Sequence, residues 1–84
     1  MSKQDKLVKR LLTQPKDFSF SELIALLGNF GYSISNAGKT SGSRVRFEND
    51  KGDYIRLHKP HPRNILKPYQ VNDIITALTE RGLI

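Results

Sequence analysis

Two histidines and three arginines are the residues of this chain that are best suited to chemistry. His58 and His61 lie in the stretch "HKPHP", and Arg44, Arg46 and Arg56 alternate with apolar residues just before it. Histidine is the usual general acid and base near neutral pH, and arginine stabilises charge that develops on a phosphate. Such a set could cut RNA by moving the 2′-hydroxyl proton while the oxygen attacks the adjacent phosphate. Alternatively, both histidines are exposed residues that contact phosphate or solvent without reacting.

Other kinds of site have weaker support in the sequence. Two histidines three positions apart lack a convincing third metal ligand, and Asp53 is the only candidate. The chain has no cysteine, which excludes disulfides and thiolate metal sites. The segment "SGS" is too short and too polar to be a phosphate-binding loop with its lysine. We therefore expect no metal and no cofactor.

The positive charge is concentrated in one part of the chain. Fourteen Lys and Arg residues against eight Asp and Glu residues give a formal charge of +6. Eight of these basic residues and only three of the acidic ones fall between Lys39 and Lys67. Such clustering is typical of nucleic-acid binding, although a solvated basic surface is the alternative. The predicted phosphate contacts are Lys39, Ser43, Arg46, Arg56, Lys59, Arg63 and Lys67.

Length and composition limit the architecture. The 84 residues suffice for one small domain with a modest core. The polar start "MSKQDKLVKR" has no apolar segment of a signal peptide behind it, and no apolar run reaches the length of a membrane-spanning helix. The absence of cysteine fits a reducing compartment. We expect a cytoplasmic protein.

Three helices are predicted, over residues 2–13, 20–30 and 68–81. Ser2 can cap the first helix and Pro15 ends it. Ser19 and Glu22 form a capping-box pattern at the second helix. Pro68 suits the first turn of the third helix. Each helix has one predicted buried face. In the first helix it consists of Leu7, Val8, Leu11 and Leu12, and in the second of Leu23, Ile24, Leu26, Leu27 and Phe30. In the third it consists of Val71, Ile74, Ile75 and Leu78.

Two strands, over residues 43–48 and 54–58, are predicted around the turn-rich segment "NDKGD", and "YSIS" is a possible first strand. Alternation turns Val45 and Phe47 inward, while the outer face carries Arg44, Arg46, Glu48, Tyr54, Arg56 and His58. Depending on the loop, Arg44 lies opposite Arg56 or His58. Like charges placed across a ladder are destabilising, which suggests that an anion binds there. Tyr54 could stack on a base or cover the sheet.

The element order is therefore α-α-β-β-β-α. It predicts an α+β fold in which helices pack on one face of a small three-stranded antiparallel sheet. The other face of the sheet is open and basic.

The stretch "GSRVRF", a following strand and "HPRNILKP" before an amphipathic helix together resemble the HicA family of bacterial toxins. The resemblance covers residues 19–84, so that residues 1–15 would be an extra N-terminal helix of a single domain spanning residues 1–84. It implies a double-stranded-RNA-binding-domain-like fold and a translation-independent mRNA interferase. The implied partners are mRNA and a HicB-like antitoxin.

One position departs from the family pattern. The family strand usually continues from glycine and serine to a catalytic histidine, and here that position is Arg44, which stays protonated. Three interpretations remain open: His58 on the neighbouring strand moves the proton, His61 in the family's "HP" element does so, or the protein binds RNA without cutting it. In the last case it is an RNA-binding module or a toxin remnant that binds its antitoxin. DNA binding by the last helix is disfavoured because its polar face carries only Arg81.

Overall fold

The computed structural model describes residues 3–35, 44–60 and 63–84. The helices and strands are α1 (Lys3–Leu12), α2 (Phe20–Asn29), β1 (Ser33–Ser35), β2 (Arg44–Glu48), β3 (Tyr54–His58) and α3 (Pro68–Glu80). This order confirms the predicted α+β class, and the open antiparallel sheet is consistent with the double-stranded-RNA-binding-domain-like description. The proposed cap Ser2 and the predicted strand start at residue 43 lie outside the described residues.

The helix ends follow the sequence signals. At α2, the Ser19 hydroxyl accepts from the Glu22 amide at 3.0 Å, and the Glu22 carboxylate accepts from the Ser19 amide at 3.1 Å. Gly31 follows α2 with a φ of +90°, a left-handed conformation that glycine adopts without strain. Helix α3 begins at Pro68, which has no amide hydrogen to leave unpaired there.

The three strands form one antiparallel sheet in the order β1-β2-β3. Within the β2–β3 ladder, Arg44 lies opposite His58 and Arg46 lies opposite Arg56. The structure thus selects one of the two registers that the sequence left open. Because side chains alternate across the sheet, these four residues share the outer face, and Phe47 and Ile55 face the helices.

The core lies between the sheet and the three helices. Its buried apolar residues are Leu11, Phe18, Phe20, Leu23, Leu26, Leu27, Tyr32, Phe47, Ile55, Leu66, Val71, Ile74 and Leu78. The prediction of burial is wrong for two residues, because Leu12 is 50% exposed and Ile24 is 40% exposed. Each follows a fully buried leucine by one position, about 100° further around its helix, and so lies beyond the buried stripe.

No helix in the described part of the chain combines the length and the apolar character that crossing a membrane requires.

Candidate nucleic-acid interface

The open end of the β2–β3 ladder places two kinds of reactive group together. Arg44 is the first residue of β2 and His58 is the last residue of β3, and the two are paired across the ladder. Both side chains are exposed. Together with Arg56 and Leu57 they line an open pocket of about 310 Å³. This pocket offers two guanidinium groups and one imidazole to a molecule that approaches the sheet.

On the outer face, one tyrosine ring contacts two like charges. Arg46 and Arg56 lie opposite each other, and their Cζ atoms lie 4.1 Å and 5.3 Å from the centre of the Tyr54 ring. The electron-rich ring face attracts both cations and offsets part of their repulsion. Tyr54 is 40% exposed, so both of its predicted roles, stacking on a base and covering the sheet, stay open.

The counter-charges on this face are few. Arg46 Nε lies 3.3 Å from Glu48 Oε2, within ion-pair range but not aligned for a hydrogen bond. Within residues 3–35, 44–60 and 63–84, the side chains of Arg44, Arg56 and His58 form no ion pair. The open end therefore carries positive charge that the described part of the protein does not neutralise, which is what a polyanion requires.

The remaining predicted phosphate contacts lie beyond the sheet or outside the described residues. Lys59 follows β3 directly, and its Nζ lies 6.0 Å from the centre of the Phe20 ring. Arg63 and Lys67 are exposed in the segment before α3. Their segment is anchored because the Leu66 amide donates to the Phe18 carbonyl at 2.8 Å. Three predicted site residues, Lys39, Ser43 and His61, lie outside the described part of the chain.

Sequence reasoning missed Gln70, which is only 3% exposed. Its Nε2 donates to the His58 carbonyl at 2.7 Å, and its Oε1 accepts from the Lys67 amide at 2.9 Å. The available signal was its place at the third position of a helix that begins with Pro68, where a glutamine can reach back to the capping residue. The bond to His58 depends on how α3 packs against β3 and has no signal in the sequence.

At the opposite end of the sheet, the charged side chains bind one another. Asp53 precedes β3 and accepts hydrogen bonds from Arg81, at 2.7 Å from Nε, and from the Tyr32 hydroxyl. The hydrogen bond from Arg81, followed by that from Tyr32, lowers the pKa of the Asp53 carboxyl. Burial, followed by the bond to Asp53, raises the pKa of the Tyr32 hydroxyl, which therefore stays a donor. Asp53, the candidate third metal ligand, is thus engaged by two protein groups.

Across residues 3–35, 44–60 and 63–84, no three His, Cys, Asp or Glu side chains are grouped closely enough to hold a metal ion.

Comparison with protein families identifies the chain. Residues 20–79 match the family model described as HicA toxin of bacterial toxin-antitoxin. The chain belongs to the HicA toxin family. Neither the curated proteins nor the solved structures gave a match. Membership makes the protein the toxin component of a toxin–antitoxin system and implies an antitoxin partner in general. The family match begins at α2, so α1 precedes it.

Proposed function

We propose that this HicA-family toxin binds mRNA on the outer face of its sheet and cleaves it without a metal ion. One observation carries the proposal: His58 lies directly opposite Arg44, in a pocket that both share with Arg56. An imidazole can move a proton near neutral pH, while two guanidinium groups stabilise the charged phosphate. The RNA contacts on either side are Arg46, Lys59, Arg63 and Lys67, with Lys39 and Ser43 added from the sequence.

The proposed reaction needs only proton transfer and charge stabilisation. His58 accepts the proton of a ribose 2′-hydroxyl, whose oxygen forms a bond to the adjacent phosphorus as the bond to the 5′-oxygen breaks. The leaving 5′-oxygen takes up a proton from an acid, for which His61 is the candidate. Arg44 and Arg56 stabilise the negative charge that develops on the phosphate oxygens. The products are a 2′,3′-cyclic phosphate and a 5′-hydroxyl.

The proposed partner is a HicB-like antitoxin that covers the same face in the bacterial cytoplasm. The positive charge at the open end, which no described residue neutralises, favours an acidic antitoxin surface, because complementary charge steers and orients association. Antitoxin and RNA would then compete for the same arginines.

We also propose that residues 1–84 fold as one domain, with α1 as an addition to a core formed by residues 19–84. The side chain of Leu11 in α1 is fully buried, and Arg10 Nε lies 2.7 Å from the Glu22 carboxylate in α2. A single cooperative unfolding transition of the full chain, seen by two spectroscopic probes, would support this assignment.

The competing function is a module that binds RNA or an antitoxin without cutting RNA. Arg44 favours it, because arginine at the position of the family histidine cannot act as a base. Induced expression in bacteria that lack the antitoxin separates the two, with growth and mRNA integrity followed for the wild type, Arg44→Ala, His58→Ala and His61→Ala. Growth arrest with mRNA loss, abolished by one histidine substitution in a folded protein, supports the ribonuclease. Intact mRNA and normal growth with soluble wild type would leave the binding module.

A further inference from the structure

The buried amide of Gln70 joins the first turn of α3 to the last residue of β3. In the part of the chain that the structure describes, Gln70 is the one buried polar or charged residue. Both ends of its amide are used, since Nε2 donates to the His58 carbonyl and Oε1 accepts from the Lys67 amide. A buried amide without partners is costly, so these two bonds fix the orientation of the side chain.

The residue that Gln70 holds lies where the sheet should be weakest. The pair Arg44–His58 is the last of the β2–β3 ladder, and the ends of a ladder fray most easily. At the other end, the Asn49 amide donates to the Asp53 carbonyl at 3.0 Å. Because hydrogen-bonded pairs alternate along an antiparallel ladder, the backbone groups of His58 then face away from β2. The bond from Gln70 therefore takes the place of a missing neighbouring strand.

Two features hold the backbone that precedes Gln70. Pro68 fixes the backbone at the start of α3, and Leu66 is anchored to the Phe18 carbonyl at 2.8 Å. The His58 main chain is thereby connected through Gln70 to the Lys67 amide, next to the residue that is bonded to the buried Phe18. A small displacement of a proton-transfer group lowers the rate steeply, whereas phosphate contacts along the sheet tolerate it.

We propose that Gln70 is a positioning residue for RNA cleavage, holding His58 opposite Arg44 through the His58 carbonyl. The inference rests on the proposed function and adds a residue that touches neither the RNA nor the reacting atoms. Its loss should lower kcat roughly tenfold to a hundredfold while KM stays within about twofold, because RNA binding relies on other side chains.

Two substitutions at this position separate positioning from helix capping. Gln70→Glu keeps an acceptor for the Lys67 amide but, when ionised, has no donor for the His58 carbonyl. Gln70→Met loses both bonds at similar length. Tyr32→Phe is the matched control, because it removes one hydrogen bond at the opposite end of the sheet. Each variant is assayed with a defined RNA at pH 8, well below its melting temperature.

We expect a lower kcat for both Gln70 variants and an unchanged kcat for Tyr32→Phe. Full activity of Gln70→Glu would overturn the inference in favour of a capping role. Loss of activity in all three variants, in proportion to their stability, would overturn it in favour of general destabilisation. Absence of cleavage by the wild type would overturn the proposed function and this inference with it.

A measurement on the wild type covers the case in which neither Gln70 variant folds. Hydrogen exchange of the Val45 and Leu57 amides, next to the open end, is compared with that of Phe47 and Ile55 in the middle of the ladder. If the exchange rates of the two pairs of amides agree within roughly tenfold, the open end of the ladder does not fray, as the proposal requires. Much faster exchange at Val45 and Leu57 means that the end frays despite Gln70, and that result overturns the inference.

Discussion

The two ends of the sheet differ in whether their charged side chains are paired within the described part of the protein. At the turn end, Asp53, Arg81 and the Tyr32 hydroxyl satisfy one another and join the turn before β3 to the end of α3. At the open end, Arg44 and His58 face each other with no ion pair among the described residues. Both ends expose charged groups, but within residues 3–35, 44–60 and 63–84 only the turn end supplies their counter-charges.

This difference separates charges that hold the fold from charges that are available to a ligand. The Arg81 guanidinium bonds to Asp53, to the Ala77 carbonyl at 2.9 Å and to the Tyr54 carbonyl at 3.2 Å. A phosphate could reach it only by displacing these partners. Arg44 has no such partner to lose among the described residues, so that binding an anion there requires no rearrangement of an internal ion pair.

Substitution of His58 should have the largest effect at the open end. His58→Ala is expected to lower the cleavage rate about 10²–10⁴-fold, the usual contribution of a positioned acid or base. Circular dichroism should show an unchanged fold, because the side chain is exposed. A gel assay of a labelled RNA measures the rate, and Asp53→Asn serves as the control at the other end. Equal losses in both variants would remove the distinction between the two ends.

The salt dependence of RNA binding tests whether the arginines at the two ends differ. Arg56→Gln should reduce the slope of log Kobs against log salt concentration by about 0.7, as expected for one lost phosphate contact on single-stranded RNA. Arg81→Gln should leave the slope unchanged, because Asp53 already engages that guanidinium. Fluorescence anisotropy from low to moderate salt measures both slopes. A change in slope for Arg81→Gln alone would reverse the assignment.

Acid should weaken the turn end. The pKa of Asp53 is lowered in the folded protein, chiefly by the hydrogen bond from Arg81. Its stabilisation is therefore fully present above the ordinary value of about 3.9 and is lost as the pH falls through the lower folded value. The pKa of Glu22, lowered chiefly by Arg10, adds to the same dependence.

Urea unfolding at a series of pH values measures this loss. We expect the free energy of unfolding of the wild type to decline below about pH 4. Asp53→Asn should be less stable at neutral pH and should show a shallower decline in acid. Parallel pH profiles of the two proteins would contradict the role of the Asp53 carboxylate.

Removal of the Tyr32 hydroxyl should produce a modest loss of stability. Tyr32→Phe keeps the buried ring and removes one hydrogen bond, which contributes about 1 kcal/mol. For a domain of this size, that corresponds to a fall in Tm of roughly 4–8 °C. Calorimetry measures the shift, and RNA affinity should not change. A weakened affinity with an unchanged Tm would place Tyr32 in the interface.

Replacement of the Tyr54 hydroxyl should have the smallest effect. Tyr54→Phe keeps the ring face on which Arg46 and Arg56 rest, so RNA affinity should change by less than about 0.5 kcal/mol. Tyr54→Ala, which removes the ring, should lower affinity and stability together. If Tyr54→Phe weakened RNA binding strongly, the hydroxyl would have to contact the RNA itself.

The sequence predicted most of the fold and which face of the sheet the basic residues of β2 and β3 occupy. Capping residues marked the start of α2, and alternation placed the arginines on the outer face. The pairing of Arg44 with His58 could not be predicted, because it depends on how residues 49–53 close the turn. There the Asn49 side chain accepts from the Lys51 and Asp53 amides, at 3.0 Å and 2.9 Å, in a local geometry that composition does not specify.

Gln70 and Arg81 show the same limit. The helical pattern placed Arg81 near the end of α3, where its positive charge interacts favourably with the helix dipole. The hydrogen bond that Arg81 donates to the Ala77 carbonyl fits that prediction. Its partner Asp53 comes from a turn 28 residues earlier. The bond from Gln70 to the His58 carbonyl likewise spans separate elements. Such pairs arise from the packing of α3 against β3, which no local pattern encodes.

Cleavage of a defined RNA by the purified protein in the presence of EDTA shows whether the Arg44–His58 pair carries out the reaction without a metal ion. The wild type and Asp53→Asn should both produce fragments that end in a 2′,3′-cyclic phosphate, while His58→Ala should bind the RNA and leave it intact. Unchanged cleavage by His58→Ala would move the proton transfer away from the Arg44–His58 pair. An intact RNA with folded wild type would contradict the ribonuclease and leave a toxin-family protein that binds without cutting.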